Sequence, residues 1–240
     1  MQITGKTVLI TGGTDGIGRE LALQLQAAGA DVVITGRDPA RLTRARSEGM
    51  TAIAADLTGP DGIEAVLRGL AGRSVDVLIN NAGMGTEHDF RIALPDQNGD
   101  EQSLWLNLHA PIRLIVALMS TLKTRPEAMI VNVTSGLAIA PSSGAPVYCA
   151  TKAALRSYTQ SLRAQLAGTQ IHVLEALPPV VDTAMTRTRG GRKLSPQECA
   201  RQIIAAMRVN ADEANVGMVR ILKAVHQVAP WLARRIMIGF

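Results

Sequence analysis

Residues 7–18 read TVLITGGTDGIG, an apolar run that passes directly into a glycine-rich turn. The apolar run predicts a buried strand, and GRELALQLQAAGA at 18–30 predicts a helix immediately after the turn. In this setting Gly12 allows a tight turn, Gly16 lets a pyrophosphate approach the backbone, and Gly18 lets the helix pack closely on the strand. The N-terminus of the helix offers free N–H groups and a partial positive charge to phosphate. The segment therefore predicts a dinucleotide-binding turn.

Outward from this turn, short apolar runs alternate with amphipathic segments. Continuous apolar runs indicate strands covered on both faces, and strands that alternate with helices indicate a parallel sheet. Further strands are predicted at 31–35, 51–56, 76–83, 128–135 and 170–179, and further helices at 39–49, 62–72, 104–122 and 147–168. We therefore expect an α/β fold. It is a single Rossmann-like, doubly wound domain over residues 1–240, with a mostly parallel six- or seven-stranded sheet and helices on both faces.

The C-terminal part of the sequence is less regular. A variable loop is expected at 184–200, with a helix opening at Ser195 as its cap. Residues 215–222, NVGMVRIL, are expected to supply a seventh strand. The tail at about 219–238 is interpreted as a C-terminal amphipathic helix with basic residues. Packing on the domain or on a second subunit is favoured over contact with a membrane surface, because Pro230 interrupts the helix.

Composition narrows the classes of function. The chain has a net charge of +5 and only 2% aromatic residues. The stacking side chains of single-strand nucleic-acid binders are therefore largely missing. The positive charge is interpreted first as a solvated basic surface. Such a surface could also attract a phosphorylated cofactor, nucleic acid or acidic lipid, and charge alone does not choose among them. The two cysteines, Cys149 and Cys199, have no metal-ligand spacing and fit a reducing cytoplasm. With neither a signal peptide nor an apolar run long enough to cross a bilayer, we expect a cytoplasmic protein that binds no nucleic acid and no metal.

The end of the second predicted strand indicates which of the two nicotinamide cofactors, NAD(H) or NADP(H), is favoured. NAD binders place a carboxylate there to bind the ribose 2′-hydroxyl, whereas this strand ends in Gly36 and Arg37. A guanidinium can hold a 2′-phosphate, which favours NADP(H). Asp38 and Pro39 are interpreted as a helix cap and first helical residue. NAD(H) stays the alternative, because the charge of Asp15 could repel a phosphate.

A second group of residues points to proton transfer. Tyr148 and Lys152 are four positions apart on a predicted helix, so both side chains share one face. A nearby ammonium would lower the pKa of the phenol toward neutrality. Ser135 follows the fifth strand and can bond a reacting oxygen, and Asn107 lies in the preceding long helix. Each of these residues taken alone would more simply be structural.

Together these motifs resemble the short-chain dehydrogenase/reductase family in order and spacing. The resemblance covers about residues 3–185 and is carried by the turn at 11–18, NNAG at 80–83, Asn107, Ser135, Tyr148 and Lys152. The T-G-x-x-x-G-x-G spacing of the turn is similar to that of the classical type of this family and distinguishes it from the extended, epimerase-like type. The resemblance implies helices at 104–122 and 147–168 through which subunits pair as a homodimer or homotetramer.

The resemblance also implies the role of each residue. Tyr148 would be the general acid/base and Lys152 would hold the nicotinamide ribose and tune Tyr148. Ser135 would orient the substrate oxygen, and Asn107 would hold a water in the proton relay. Cofactor contacts are implied for Tyr148 and Lys152 and for Gly12, Thr14, Asp15, Gly16, Ile17, Gly18, Arg37, Asp56, Leu57, Asn81, Gly83, Val181 and Thr183.

Two departures from the family pattern stand out. LPPVVDT at 177–183 is similar to the family's P-G-x-V-x-T segment, but Pro179 replaces the usual glycine. This removes a backbone N–H, so the local path must differ or be compatible with proline. The P-P-x-V-D-T form resembles a subgroup that includes the oxidoreductase of the teichoic-acid D-alanylation cluster. The usual closing strand of the family is not recognisable.

The sequence therefore predicts an NADP(H)-dependent oxidoreductase that transfers a hydride between nicotinamide and a small carbonyl or alcohol substrate. The alternative is a dinucleotide-binding regulatory or scaffold protein with little catalysis. The aligned set of Ser135, Tyr148 and Lys152 argues against this alternative, since a pure binder needs no such phenol.

Overall fold

A seven-stranded sheet organises the computed structural model, which describes residues 1–239. Its strands are β1 Thr7–Ile10, β2 Asp31–Gly36, β3 Thr51–Ala54, β4 Val77–Asn80, β5 Ala128–Val133, β6 Ile171–Leu177 and β7 Glu213–Asn215. They lie in the order β3-β2-β1-β4-β5-β6-β7, and every pair is parallel. The predicted doubly wound α/β fold is confirmed.

Helices cover both faces of this sheet. They are α1 Gly16–Ala27, α2 Pro39–Ser47, α3 Pro60–Leu70, α4 Gln97–Leu104, α5 Ala110–Lys123, α6 Pro146–Gln165, α7 Pro196–Arg208, α8 Val219–Val228 and α9 Pro230–Ile238. The apolar cluster on one face includes α1, α2 and α7, and the cluster on the other includes α3, α5 and α6. As predicted, Asp38 caps α2 by accepting from Arg41 N, and Ser195 caps α7 by accepting from Glu198 N.

The strand order reverses between β1 and β4. The chain leaves β1 toward β2 on one side and leaves β4 toward β5 on the other. In open parallel sheets, ligands bind at the carboxyl ends of the strands beside such a reversal. The segments that follow β1 and β4 are the glycine turn and NNAG at 80–83, so the fold brings these two predicted motifs together.

The helix predicted over 104–122 begins earlier and contains an irregular turn. α4 runs into a π-helical turn, Trp105–His109, and then into α5. By length and composition alone the continuous helix Gln97–Lys123 could cross a membrane, which the sequence analysis did not foresee. Leu114, Ile115, Leu118 and Leu122 of α5 are nevertheless buried in the core cluster on one face of the sheet, as in a core helix.

The C-terminal predictions need correction. The expected strand over 215–222 is wrong: β7 ends at Asn215, and α8 begins at Val219. The expected single helix at 219–238 is divided into α8 and α9, because Pro230 cannot continue the first helix and instead occupies the first turn of the second. The irregular segment expected at 184–200 already ends at Ser195, the cap of α7.

Candidate active site

A cleft of about 430 Å³ opens at the carboxyl ends of the strands beside the β1–β4 reversal. It extends from the end of β2 to the start of α6, and most residues implied by the family resemblance line it. These are Gly12, Thr14, Asp15, Gly16, Ile17, Arg37, Asp56, Leu57, Asn81, Gly83, Ser135, Tyr148, Lys152, Val181 and Thr183. Within residues 1–239, no cluster of three or more His, Cys, Asp or Glu side chains is arranged to hold a metal ion.

The glycine turn forms the floor of this cleft, where Gly12 and Gly16 expose backbone. Gly12 has a φ of 65° and Gly16 a φ of 53°, a backbone region that L side chains rarely adopt. A Cβ at Gly18 would lie 2.3 Å from Gly12 O and 2.4 Å from Asn81 Nδ2. Gly18 therefore lies beneath the cleft rather than in its wall, and its role is the close packing of α1 against the turn. Where Gly12 and Gly16 leave the backbone bare, the turn fits a dinucleotide pyrophosphate, and Asp15 Oδ1 accepts from Gly16 N at 2.8 Å as the cap of α1.

Two guanidinium groups lie at the end of the cleft where the sequence predicts the adenosine, which is called the adenosine end below. Arg37 is largely exposed and its Nη1 lies 3.8 Å from Asp56 Oδ2. Arg41, in the first turn of α2, also lines the cleft, and its Nη1 lies 2.6 Å from Asp15 Oδ2. The negative charge of Asp15 is thus paired. Sequence analysis missed Arg41, although its position one helical turn after Arg37 was the available signal.

Tyr148 lies at the other end of the cleft, at the start of α6. Its pKa is raised by burial, and the hydrogen bond with Ser135 opposes this effect only in part. The expected lowering of the tyrosine pKa by the lysine ammonium is therefore wrong for the protein alone. Burial penalises the phenolate more than the hydrogen bond with Ser135 and the charge of Arg189 favour it.

Lys152 is buried beside Tyr148. Its Nζ lies 5.7 Å from the centroid of the tyrosine ring and donates a hydrogen bond to Val133 O at 2.9 Å. Burial lowers the pKa of Lys152 to about 8. Because the two side chains share one face of α6, as predicted, the buried ammonium of Lys152 lies beside the phenol ring of Tyr148.

Asn107 does not line the cleft. It lies in the π-helical turn and is fully buried. Its Nδ2 donates to Ser103 Oγ and to Thr151 Oγ1, each at 3.1 Å, and the rest of the amide is bonded to the backbone of Met84. The side chain therefore anchors the strand that carries NNAG to the helices behind it.

The segment that follows β6 accommodates proline without disturbing the cleft. Pro178 O accepts a hydrogen bond from Gly136 N at 3.0 Å, and Pro179 Cγ would lie 3.5 Å from a Cβ at Gly217. Val181 is buried and forms a parallel bridge with Leu194. The local path is therefore compatible with Pro179, and Val181 and Thr183 still line the cleft.

A buried ionic network supports the turn that carries Ser135. Glu175 on β6 is inaccessible to solvent. Its Oε1 accepts from Thr134 Oγ1 at 2.7 Å, and its Oε2 accepts from Arg156 Nη1 at 2.7 Å. Arg156 also reaches Glu213 at 3.3 Å. Sequence analysis did not identify this network, because its members belong to separate elements.

The C-terminal helices pack beside the same turn. A Cβ at Gly136 would lie 3.0 Å from Val219 Cγ2 and 3.5 Å from Leu222 Cδ2 of α8. At the end of α9, Ile238 O accepts a hydrogen bond from Ser143 N at 3.1 Å. The tail therefore contacts the segment between Ser135 and Tyr148 at two points.

Comparison with known proteins matches this geometry to one family. A family model described as short chain dehydrogenase matches residues 6–193. The uncharacterized oxidoreductase DltE of Bacillus subtilis is 41% identical over 191 residues, which are 78% of this chain and 76% of that protein. This similarity agrees with the subgroup expected from residues 177–183.

Solved structures resemble the whole chain. A short chain dehydrogenase from Burkholderia cenocepacia in complex with NADP has a TM-score of 0.88 at 26% identity, and the match covers 99% of both chains. A 3-ketoacyl-(acyl-carrier-protein) reductase from Brucella melitensis complexed with NADH has a TM-score of 0.79 at 27% identity, covering 88% of this chain and 96% of that one. The match to the family model ends before α7, whereas the match to the first structure includes α8 and α9.

Proposed function

The chain belongs to the short chain dehydrogenase family of oxidoreductases, and we propose that it transfers a hydride between NADP(H) and a small carbonyl or alcohol substrate. Tyr148 is the general acid/base in this proposal, with Ser135 orienting the substrate oxygen and Lys152 holding the nicotinamide ribose. The observation that carries the proposal is the convergence of these three side chains on the cleft whose floor is the glycine turn.

In the direction of reduction, Tyr148 is the proton donor of the proposed reaction. When bound, NADPH supplies the hydride for the carbonyl carbon and is left as NADP⁺. The proton for the carbonyl oxygen comes from Tyr148 Oη, so that C=O becomes CH–OH and a proton from solvent restores the phenol. Because burial raises the pKa of Tyr148, the phenol keeps this proton at neutral pH.

Arg37 and Arg41 support NADP(H) as the preferred cofactor, with NAD(H) as the alternative. Both line the adenosine end of the cleft, and planar guanidinium groups bind phosphate oxygens in a fork. Asp15, whose charge argued against a phosphate there, is already paired with Arg41.

The substitution Tyr148→Phe tests the proposed function. In assays of NADPH oxidation over a panel of aldehydes and ketones, the variant should lose about a hundredfold or more in turnover, the usual contribution of a general acid. NADPH affinity, followed by nicotinamide fluorescence, should stay close to that of the wild type. A fully active variant would reject the role of Tyr148. Cofactor binding by the wild type without turnover of any carbonyl would favour the regulatory or scaffold function instead.

We also propose that the protein assembles as a homodimer or homotetramer through α5 and α6. Val116 on α5 is 68% exposed, and Trp105 stacks on His109 at 5.2 Å with Arg113 over its ring at 5.1 Å. An exposed valine beside a rigid aromatic group supports a surface covered by a second copy. Light scattering should give a multiple of the chain mass, and Val116→Glu should shift it toward the monomer.

A cytoplasmic location is proposed, with peripheral membrane contact as the less favoured alternative. Cys149 and Cys199 are both free thiols, which fits a reducing compartment. The exposed Val228 and Trp231 of the tail are the feature that a membrane contact would use. If the protein fails to sediment with anionic liposomes at low salt, that contact is excluded.

A further inference from the structure

Two loops meet on the substrate side of Tyr148. The first follows NNAG, and a Cβ at its Gly85 would lie 3.8 Å from Tyr148 Cδ2. The second connects the turn Ala184–Thr186 to α7 and carries Arg189. An ion pair joins the loops, because Arg189 donates to Glu87 Oε1 from Nε at 2.9 Å and from Nη2 at 2.8 Å. Arg189 is also near enough to Tyr148 for its charge to oppose the burial that raises the tyrosine pKa.

The geometry of this ion pair is not that of a strong structural bridge. Both guanidinium nitrogens bind one carboxylate oxygen, so the two-oxygen fork that makes such pairs strong is not formed. The side chain of Glu87 is 58% exposed, whereas that of Arg189 is 26% exposed. Ion pairs with an exposed partner contribute little to stability. Glu87 is therefore a replaceable partner for a partly buried cation whose charge acts on Tyr148.

The residues on either side of Glu87 carry two buried polar atoms. Thr86 Oγ1 and His88 Nδ1 are shielded from solvent, and neither has a hydrogen-bond partner within residues 1–239. Buried polar atoms are normally paired. Thr86 Cγ2 would lie 3.5 Å from a Cβ at Gly99 of α4, and the His88 ring packs edge-on against Phe90, so both side chains belong to the packing of the first loop itself.

The second loop is cationic as a whole. Its sequence from residue 186 reads TRTRGGRK. Lys193 lies 3.8 Å from Asp182, while Arg187 forms no ion pair with any part of the chain that the structure describes. A cationic loop that begins at the cleft, where Thr186 lines it, attracts anionic substrates.

We propose that Arg189 recognises a carboxylate on the substrate, and that the Glu87 side chain occupies the place this carboxylate takes on binding. The substrate class is then an oxo acid, in which a ketone or aldehyde carbonyl and a carboxylate belong to one small molecule. The inference rests on the proposed reductase function and assigns its substrate class.

The test compares oxo acids with their own methyl esters. NADPH-dependent reduction of 2-, 3- and 4-oxo acids and the matching esters is measured for the wild type, Arg189→Gln and Glu87→Gln. The wild type should prefer the acid. Arg189→Gln should lower kcat/KM for the preferred acid about tenfold or more and leave the ester within about twofold, as for loss of a charge-assisted contact. Glu87→Gln should instead raise kcat/KM for the acid, since a competing carboxylate is gone.

The opposite changes in kcat/KM for the acid that are expected in Arg189→Gln and Glu87→Gln distinguish substrate recognition from a merely structural role. If the ion pair only holds the two loops together, both variants will change acid and ester reduction in the same direction, and the inference fails. Arg187→Gln is the matched control, because it removes an exposed charge from the same loop without an ion pair and should change the acid-to-ester ratio less than twofold.

Failure of the proposed function is recognisable separately. If the wild type binds NADPH but reduces neither acid nor ester, binding of the same compounds to the complex with NADP⁺ is measured by calorimetry. Preferential binding of acids that Arg189→Gln abolishes would support the recognition role even without turnover. Equal binding of acids and esters, or none, would overturn it, as would a wild-type enzyme that reduces esters as well as acids.

Discussion

Asn107 and Met84 are joined by two hydrogen bonds that use both backbone polar groups of the methionine. Asn107 Oδ1 accepts from Met84 N at 3.0 Å, and Asn107 Nδ2 donates to Met84 O at 2.8 Å. The side chain thus pairs with the backbone as a neighbouring strand would. This pairing fixes the first residue after NNAG and so sets the start of the loop that carries Glu87.

Replacement of Asn107 should therefore destabilise the protein. Asn107→Leu leaves both Met84 groups without these partners, and we expect the free energy of unfolding to fall by about 2–4 kcal/mol, measured by urea denaturation. Ser103→Ala is the control: it removes a hydroxyl that lies 3.3 Å from Met84 O and should cost about 1 kcal/mol. An equal loss in the two variants would contradict the anchoring role.

The arginines at the adenosine end should determine cofactor preference. Arg37→Ala and Arg41→Ala should each weaken NADPH binding about tenfold or more and change NADH binding much less, because only NADPH carries the 2′-phosphate. Asp15→Asn should strengthen NADPH binding by freeing Arg41. Fluorescence titration measures all three, with Arg68→Ala on α3 as a control. Equal losses for both cofactors would refute this interpretation.

The close packing at Gly18 should be intolerant of a methyl group. Gly18→Ala places a Cβ against Gly12 O, so we expect an overpacking cost of about 1–3 kcal/mol and weaker binding of either cofactor. A Cβ at Gly190 would meet no heavy atom within 4 Å, and Gly190→Ala should leave the midpoint of thermal unfolding nearly unchanged. A stable Gly18→Ala variant with normal cofactor affinity would contradict the packing.

The buried ammonium of Lys152 should make stability depend on pH. Its pKa is lowered from 10.5 to about 8 in the folded protein, so between these values the unfolded chain binds more protons. The lower proton affinity of Lys152 in the folded protein therefore raises the free energy of unfolding as pH increases from 8 to 10.5, by on the order of 3 kcal/mol. Denaturation of the cofactor-free protein should show the gain, and Lys152→Met should lack it. Parallel pH profiles for the two proteins would contradict the assignment.

The network around Glu175 should respond asymmetrically to mutation. Arg156→Met leaves a fully buried carboxylate without its ionic partner and should cost about 3–5 kcal/mol in urea denaturation at pH 7. Glu175→Gln keeps an acceptor for Thr134 and should cost less. Combined with Arg156→Met it should restore part of the loss, since no unpaired charge then remains. Additive losses in the double variant would show that the two groups act independently.

Much of this structure could be predicted because its signals are local. The apolar runs, the glycine turn and the Asp38 and Ser195 caps are each decided within a few residues of sequence. The residues of the cleft follow from the same signals, because parallel strands bring their carboxyl ends to one edge. The long-range contacts do not follow from them: Arg189 meets Glu87 across 102 residues of sequence, and neither residue has a local pattern that indicates the other.

The errors at the C-terminus have a different cause. Residues 215–222 are apolar enough for a strand, but hydrophobic pattern alone does not separate a short buried strand from the start of a helix. The direction of the Tyr148 pKa was also wrong, because the spacing of Tyr148 and Lys152 shows their proximity but not the burial of both. Burial is a property of the packed domain.

The packing of α8 and α9 beside Ser135 and Tyr148 bears on how such enzymes diverge. Ser135 follows β5, and Tyr148 and Lys152 lie on α6. The helices packed beside this segment belong to the last stretch of the chain, beyond the residues that match the family model. Relatives can therefore keep the residues of the proposed chemistry while the sequence of the C-terminal helices differs. A chimera that receives the tail of another family member, from β7 onward, should keep its cofactor and the acid preference proposed for Arg189, and differ in how well it accepts bulkier substrates.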